Sequence, residues 1–428
     1  MHPLVNLEQC FSSSAPVSSE TIINLLKQIN ETDLSGKDFT DQQIIDIIIS
    51  GTSIIKSQDN AYSPFCHFIF KQCTKQIRLS SFRPSSFEKC LLYLLNGLED
   101  NDMSALLKVD TLRALSSLLY ENSSYTSKFY SRLIPLLLTL SDRSVKPLEI
   151  RRMAINCLGN LCLGAGTKLQ PHYKNIYETL LSNICTVDHT SKGNIMVVSS
   201  SLDFTDPAIR KIASSTLRAL QFLLCQDKSL ISNPLCDILE IIYTFIFMHV
   251  TVQSYYHLGS LKDTSINKSS KPNSLLRSSR LSTTTTPSFS HQIPWRSAKP
   301  ISTGIISSDS EMSDTDSTAF NPRKLRDDAK IRNNAMLCLL SIAKTTPRSL
   351  YPNWSKFIPD SFSTFLKNHT ISTSSYTLAS TLQSDQQPFS LMTLLLYDPV
   401  ITVRITVCHT LIAMLDQSKQ YLNVASER

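Results

Sequence analysis

Large apolar residues recur three and four positions apart along most of this chain, the spacing that lines one face of an α-helix. From residue 19 to about 253 the pattern predicts ten helices: Ser19–Ile29, Asp41–Ile55, Pro64–Ile77, Ser86–Leu98, Met103–Tyr120, Ser127–Leu140, Pro147–Cys162, His172–Ile184, Pro207–Cys225 and Pro234–Thr251. Some starts carry local signals. Asp206 is an N-cap followed by Pro207 at the first helical position, and Ser85 and Ser86 stand ahead of Glu88. The same period returns over Asp327–Lys344 and Phe389–Leu415, while residues 1–18 are read as an unstructured N-terminus.

Four of these helices share a template. With position zero at Ile150, Ile209, Ile331 and Val403, the next residue is always arginine: Arg151, Arg210, Arg332 and Arg404. Four along stands Ala154, Ala213, Ala335 or Val407, eight along Leu158, Leu217, Leu339 or Leu411, and eleven along Leu161, Leu220, Ile342 or Met414. These offsets share one helical face, and the small residue lets a neighbouring helix approach closely. The arginine lies about 100° away, in reach of the preceding inter-helix turn. Three copies carry an aspartate there: Asp206, Asp327 or Asp328, and Asp398. The copies are 59, 122 and 72 residues apart, against about 40–47 for HEAT and armadillo repeats. The excess is assigned to inserted loops. The predicted fold is therefore all-α, a HEAT/armadillo-type α-solenoid interrupted by a long disordered linker.

The interruptions show in composition. Residues 256–322 are rich in Ser, Thr and Pro, with Thr283–Thr286 followed by Pro287, and hold few large apolar groups to offset ordering entropy. A second Ser/Thr-rich insertion covers 361–387. The predicted organisation is thus a solenoid over 19–255, a disordered linker over 256–322, and continuing repeats over 323–428. Inside the linker stands the acidic string SSDSEMSDTDS, Ser307–Ser317. Ser308 has Glu311 three residues on and Ser313 has Asp316, the pattern an acidophilic casein-kinase-type enzyme selects. Ser308, Ser310 and Ser313 are accordingly candidate phosphorylation sites. Each phosphate adds about −1.5 to −2 charges, available to the basic segments on either side, Arg277 to Lys299 and Arg323, Lys324 and Arg326.

The Asp-Pro, Val/Ile-Arg, Ala, Leu template resembles the second helix of a HEAT repeat. Longer strings occur in the order found in the N-terminal part of the HEAT repeat-containing protein 6 family, over roughly residues 90–428. They are YENSSY (Tyr120–Tyr125), RRMAINCLGNLC (Arg151–Cys162), the acidic serine string, YPNWSKFIPDS (Tyr351–Ser361), SLMTLLLYDP (Ser390–Pro399) and SKQYLNVA (Ser418–Ala425). The resemblance implies an α-solenoid with a long disordered insertion. It implies no enzymatic activity and transfers no catalytic residue. Family members continue with many more helical repeats. The last helix, Val403–Leu415, agrees with that expectation. Val403, Val407, Leu411 and Met414 line one face, and Ile405, Cys408, Ile412 and Leu415 another, which predicts a contiguous exposed apolar patch at this end.

Charge and reactive residues narrow the function. The 428 residues carry a net charge of +7, but residues 256–300 alone hold seven Lys/Arg against Asp263. The predicted repeats are then near neutral, which argues against a nucleic-acid groove in the folded part and against the strongly acidic face of an importin-like transport receptor, the alternative function class. The 11 cysteines form no CxxC pair, and Cys90, Cys157, Cys162, Cys225, Cys338 and Cys408 sit in apolar helical patterns. Such thiols suit an intracellular protein, cytoplasmic or nuclear. The run Ile241–Val252 is too short to span a bilayer, which needs about 20 apolar residues. Gly159–Lys168 has a P-loop's glycine spacing but Ala165 where lysine is required, so Gly164 and Gly166 are read as a helix end and turn. Cys66, His67 and Cys73 do not match a zinc spacing, and no GxSxG is present. The expectation is a non-catalytic scaffold or adaptor that binds protein partners, with no cofactor, metal, small-molecule substrate or membrane.

Overall fold

Each amphipathic segment has one apolar face and must bury it against another, so the helices associate in consecutive pairs. The computed structural model describes residues 2–13, 17–32, 39–75, 82–120, 122–190, 193–198, 202–226, 235–248, 322–358, 390–416 and 418. All of these fall in one unit, Met1–Val252 with Phe320–Arg428. The remaining expectations on the 256–322 linker and the 361–387 insertion, and the candidate serines Ser308, Ser310 and Ser313, lie outside the described residues.

Among the described residues there are fourteen α-helices of seven residues or more. They are α1 (Pro3–Ser12), α2 (Ser19–Glu31), α3 (Asp41–Ile54), α4 (Tyr62–Lys75), α5 (Pro84–Glu99), α6 (Ala105–Leu119), α7 (Tyr130–Leu140), α8 (Leu148–Gly164), α9 (Tyr173–Ser182), α10 (Pro207–Leu224), α11 (Leu235–Ile246), α12 (Pro322–Thr345), α13 (Leu391–Tyr397) and α14 (Ile401–Leu415). Every odd-numbered helix packs on the even-numbered helix that follows it. Every even-numbered helix also packs on the next even one, from α2 through to α14. This gives seven helix pairs stacked through a continuous even layer, the arrangement of an α-solenoid, in which each repeat buries its face only against its neighbours. No described helix is long and apolar enough to cross a membrane.

The core follows the sequence period. Ala154, Ala213, Ala335 and Val407 are buried, as are Leu158, Leu217 and Leu339 eight residues after position zero. Ile241, Ile242, Phe245 and Ile246 bury the apolar run of α11. The closest approach in the even layer is α8 on α10. A β-carbon placed on Gly159 would come within 2.9 Å of the Cα and Cβ of Ala219, so this crossing needs glycine opposite alanine. Caps match the sequence signals. Asp206 accepts the Ala208 N–H at 2.8 Å, and Thr40 and Gln43 form a reciprocal capping box at the head of α3. Helix α8 runs to Gly164, and Gly166 has φ of +61°, the left-handed turn that glycine permits.

Three expectations are corrected. Residues 1–18 are not unstructured throughout: Pro3–Ser12 is a helix, because Leu4, Leu7 and Phe11 form a short apolar stripe that buries against the following helices, with the His2 side chain accepting the Leu4 N–H. The loop after Ile184 contains an antiparallel hairpin, Cys185–Thr190 with Gly193–Val198, paired from Cys185 opposite Val198 to Thr190 opposite Gly193. The stretch is rich in β-branched residues, which favour a pleated backbone. Helix α12 begins at Pro322, five residues ahead of Asp327, since Arg323–Arg326 is a polar first turn that an apolar period cannot reveal. The segment Phe389–Leu415 is two helices, with the inter-helix turn at Asp398 as expected. Pro399 cannot donate to a continuing helix, and Asp398 turns the chain by accepting the Val400 N–H at 2.9 Å.

Candidate protein-interaction surface

The repeating arginines are structural. Arg151, Arg210 and Arg332 are buried and Arg404 is half-buried. Arg151 donates to the carbonyl of Arg143 at 2.7 Å, and Arg210 to that of Phe204 at 3.2 Å, each closing the turn before its own helix. Arg332 departs from the expected geometry. Its partner is not Asp327 or Asp328, which lie inside α12 and not in the expected inter-helix turn, but Asp398 in the following pair, through Nε–Oδ2 at 2.9 Å and Nη2–Oδ1 at 3.3 Å. Both side chains are almost wholly excluded from solvent, at 4% and 0% exposed. Asp206 remains a helix cap and does not bind Arg210 through its side chain among the hydrogen bonds described above.

Sequence reasoning missed a second set of contacts that tie the even helices together. Asn160 on α8 donates to the carbonyl and hydroxyl oxygens of Ser116 on α6, at 2.7 and 3.0 Å. Asn334 on α12 does the same to Ser214 on α10, at 2.8 and 3.0 Å. The thiols of Cys157 and Cys338 donate to the carbonyls of Leu112 and Leu217, at 3.3 and 3.0 Å, and the Thr406 hydroxyl donates to Asn333 on α12 at 2.7 Å. Part of the signal was present in the template: seven residues after position zero stand Cys157, Thr216, Cys338 and Thr410, of which the two cysteines donate across the seam while Thr410 bonds back to Thr406 in its own helix. A thiol or hydroxyl there is small enough for a helix seam and still carries a donor.

Cys66, Cys90, Cys157, Cys162, Cys185 and Cys338 are buried core thiols, whereas Cys225, just past the end of α10, and Cys408, on the outer face of α14, are exposed, against the expectation from their apolar neighbours. Burial pushes Cys66, Cys73 and Cys162 up to about 12, away from the thiolate form that reacts or ligates. No group of His, Cys, Asp or Glu among the described residues is arranged to hold a metal ion.

Charge is segregated between the layers. The even helices carry seventeen Lys/Arg and six Asp/Glu, whereas the odd helices carry three Lys/Arg and eight Asp/Glu. The near neutrality inferred from the sequence therefore hides a basic layer of +11 and an acidic layer of −5, with the remaining offset carried by acidic residues outside these helices. On the even layer the groups form a line across the helices. Ser63 of α4 donates to Asp110 of α6 at 2.6 Å, Arg113 of α6 reaches Glu149 of α8 at 3.8 Å, and Arg152 holds Glu149 through Nε at 2.8 Å. Burial acts to raise the Glu149 carboxyl, but Arg152, Arg113 and Lys211 outweigh it and hold it below the usual carboxylate range. His67 on α4 is pushed down, by burial first and then by Arg113. The Glu149 shift reports positive potential on this face, whereas that of His67 is set mainly by burial. Arg218 of α10 lies over the Phe222 ring at 5.4 Å. Lys211, Arg218 and Lys330 have no carboxylate in ion-pair range among the described residues. On the odd layer, by contrast, Arg132 is held by Glu99 at 2.6 Å.

The last pair is apolar on its open side. Ile401, Ile405, Ile412 and Leu415 on α14 are each about half exposed or more, as is Leu396 on α13, while Val403, Val407 and Met414 are buried.

The chain has partial likenesses to known proteins. The family described as Domain of unknown function (DUF4042) matches residues 330–428. An uncharacterized protein of Dictyostelium discoideum is 36% identical over 151 residues, which are 35% of this chain and 9% of that relative, so the chain spans less than a tenth of the relative's length. Among solved structures, a designed armadillo repeat protein aligns over 61% of this chain and 99% of its own, with a TM-score of 0.40 and 12% identity.

Proposed function

We propose that this chain is a non-catalytic scaffold that binds protein partners along the faces of its helix stack. The observation that carries the reading is the use made of its repeating polar residues. Arg151, Arg210, Arg332, Asn160 and Asn334 are spent on neighbouring backbone and side chains. They converge on no shared point where a substrate atom could sit. What is left open is extended surface, the property by which helical stacks bind partners. We place the chain with the N-terminal part of the HEAT repeat-containing protein 6 family on the strings quoted above, inside the cell on its reduced thiol usage. Phosphorylation at Ser308, Ser310 and Ser313 is its proposed regulation. Affinity capture of the full chain, followed by cross-linking and mass spectrometry, tests the scaffold reading: stoichiometric partners cross-linked to stack lysines are expected, and recovery of none removes it. Phosphopeptide maps that repeatedly cover Ser307–Ser317 without modification remove the regulatory part.

A further inference from the structure

We infer that the exposed face of the even helices α6 to α12 is a docking lane for an extended, acidic polypeptide, with Arg218 as its central anchor. The inference rests on the scaffold reading and specifies the partner's chemistry. Three observations carry it. First, the charge asymmetry between layers is large, and the even layer holds the excess of cations. Second, those cations are not all neutralised. Arg113 and Arg152 share Glu149, but Lys211, Arg218 and Lys330 have no carboxylate in ion-pair range among the described residues. Third, Arg218 is costly as it stands. Its guanidinium is half-buried on α10, over the Phe222 ring at 5.4 Å and favoured electrostatically by Tyr120, with no carboxylate in ion-pair range among the described residues. A half-buried cation with no counter-charge gains from an incoming carboxylate.

Geometry selects an extended chain. Packed helices lie about 8–10 Å apart and an extended polypeptide advances about 3.3 Å per residue, so the lane presents one helix to about every third residue of a partner. Lys211 and Arg218 are two turns apart on one face of α10, and Lys330 lies on α12, the next helix in the layer. The lane also contains Asp110 and Glu149 among its cations. Those carboxylates repel a phosphate backbone whose charges are unbroken, whereas a polypeptide can place neutral residues opposite them. A protein with spaced acids therefore fits better than nucleic acid.

The test uses the full chain and fluorescence anisotropy at about 0.15 M salt. The probes are a fluorescein-labelled Glu-Ser-Ser repeat of about 15 residues, its Gln-Ser-Ser counterpart, and an oligothymidine of matching length. Binding of the glutamate probe is expected, weakening with added salt and absent for the glutamine probe. Arg218→Gln with Lys211→Glu should weaken it by about tenfold or more, while Lys89→Glu with Lys174→Glu on the odd helices should change it by less than about twofold. Because Arg218 is half-buried, Lys211→Glu with Lys330→Glu is the companion variant, with circular dichroism checking that each remains folded. Equal binding of both peptides, or equal loss from the odd-layer variant, overturns the lane. Tighter binding of oligothymidine replaces it with a nucleic-acid surface. Binding that emerges only after Asp309, Glu311, Asp314 and Asp316 are neutralised assigns the lane to the chain's own acidic segment and overturns an external partner. A failed peptide assay together with captured partners cross-linked elsewhere removes the lane and leaves the scaffold reading. Peptide binding with no captured partner does the reverse.

Discussion

Removing the Asp398 carboxylate should detach the last helix pair without unfolding the rest of the stack. Asp398 is fully buried and holds the buried guanidinium of Arg332 through two bonds, at 2.9 and 3.3 Å. It also accepts the Val400 N–H at 2.9 Å, which starts the turn into α14. In Asp398→Ala the guanidinium is left buried without a counter-charge, a loss of about 3–5 kcal/mol. The freed Val400 N–H, half-buried, adds about 1 kcal/mol. In a stack whose stability is a sum of repeat and neighbour terms, a loss of this size falls on the α12 to α13–α14 contact. Hydrogen exchange reads it directly. A loss of about 4 kcal/mol lowers the protection of α14 amides by roughly a thousandfold, while α6 and α8 retain theirs. The partner variant Arg332→Met should cost about as much as the first, because it strands the carboxylate. Combining the two should cost less than either alone, since an apolar pair of similar size replaces two buried charges. A loss below about 1 kcal/mol for Asp398→Ala, or two single losses that simply add in the double variant, would refute the assignment of this pair as the coupling between repeats.

Further outcomes follow from the same packing. Ala213→Leu enlarges a side chain that is 1% exposed at the α10 crossing and should cost about 1–3 kcal/mol in denaturant titration; a neutral result would place that face outside the seam. Because the Glu149 carboxyl is held below its usual value, its contribution is present above the ordinary glutamate pKa of about 4.3 and is lost as pH falls through its lower folded value. Glu149→Gln should therefore flatten the acid limb of the stability curve and leave a small loss at neutral pH, with an unchanged acid limb counting against the Arg152 and Arg113 contacts. Ile405→Lys with Ile412→Lys, at positions 49% and 63% exposed, should reduce self-association in sedimentation velocity at unchanged melting temperature; a parent chain that is already monomeric at tens of micromolar would show that the patch drives none.

The even-layer alignment was legible because helix burial has a period that a one-dimensional string preserves. Offsets of 0, 4, 8 and 11 from the Val/Ile-Arg dipeptides name side chains that do lie in the seams, and Asp206-Pro207 does start a helix. What escaped were features whose partners are remote in sequence. Asn160 and Ser116 are 44 residues apart and Asn334 and Ser214 are 120 apart, and no local pattern couples them. Helix α1 escaped because its stripe is only three apolar residues long and is stabilised by what it packs against.

The sequence by itself determined the helical period, the small residues that let helices approach, and the turns at Asp206 and Asp398, because each depends on side chains within a few turns of one another. Only the tertiary structure decided the rest. It decided that Arg332 reaches forward to Asp398 and not back to Asp327 or Asp328, since the choice depends on which turn the neighbouring pair brings alongside. It also decided that a chain of near-neutral repeats has a basic even layer and an acidic odd one. Net charge sums over a helix pair and loses the sign of each face, and only the alternation of helices between two layers restores it.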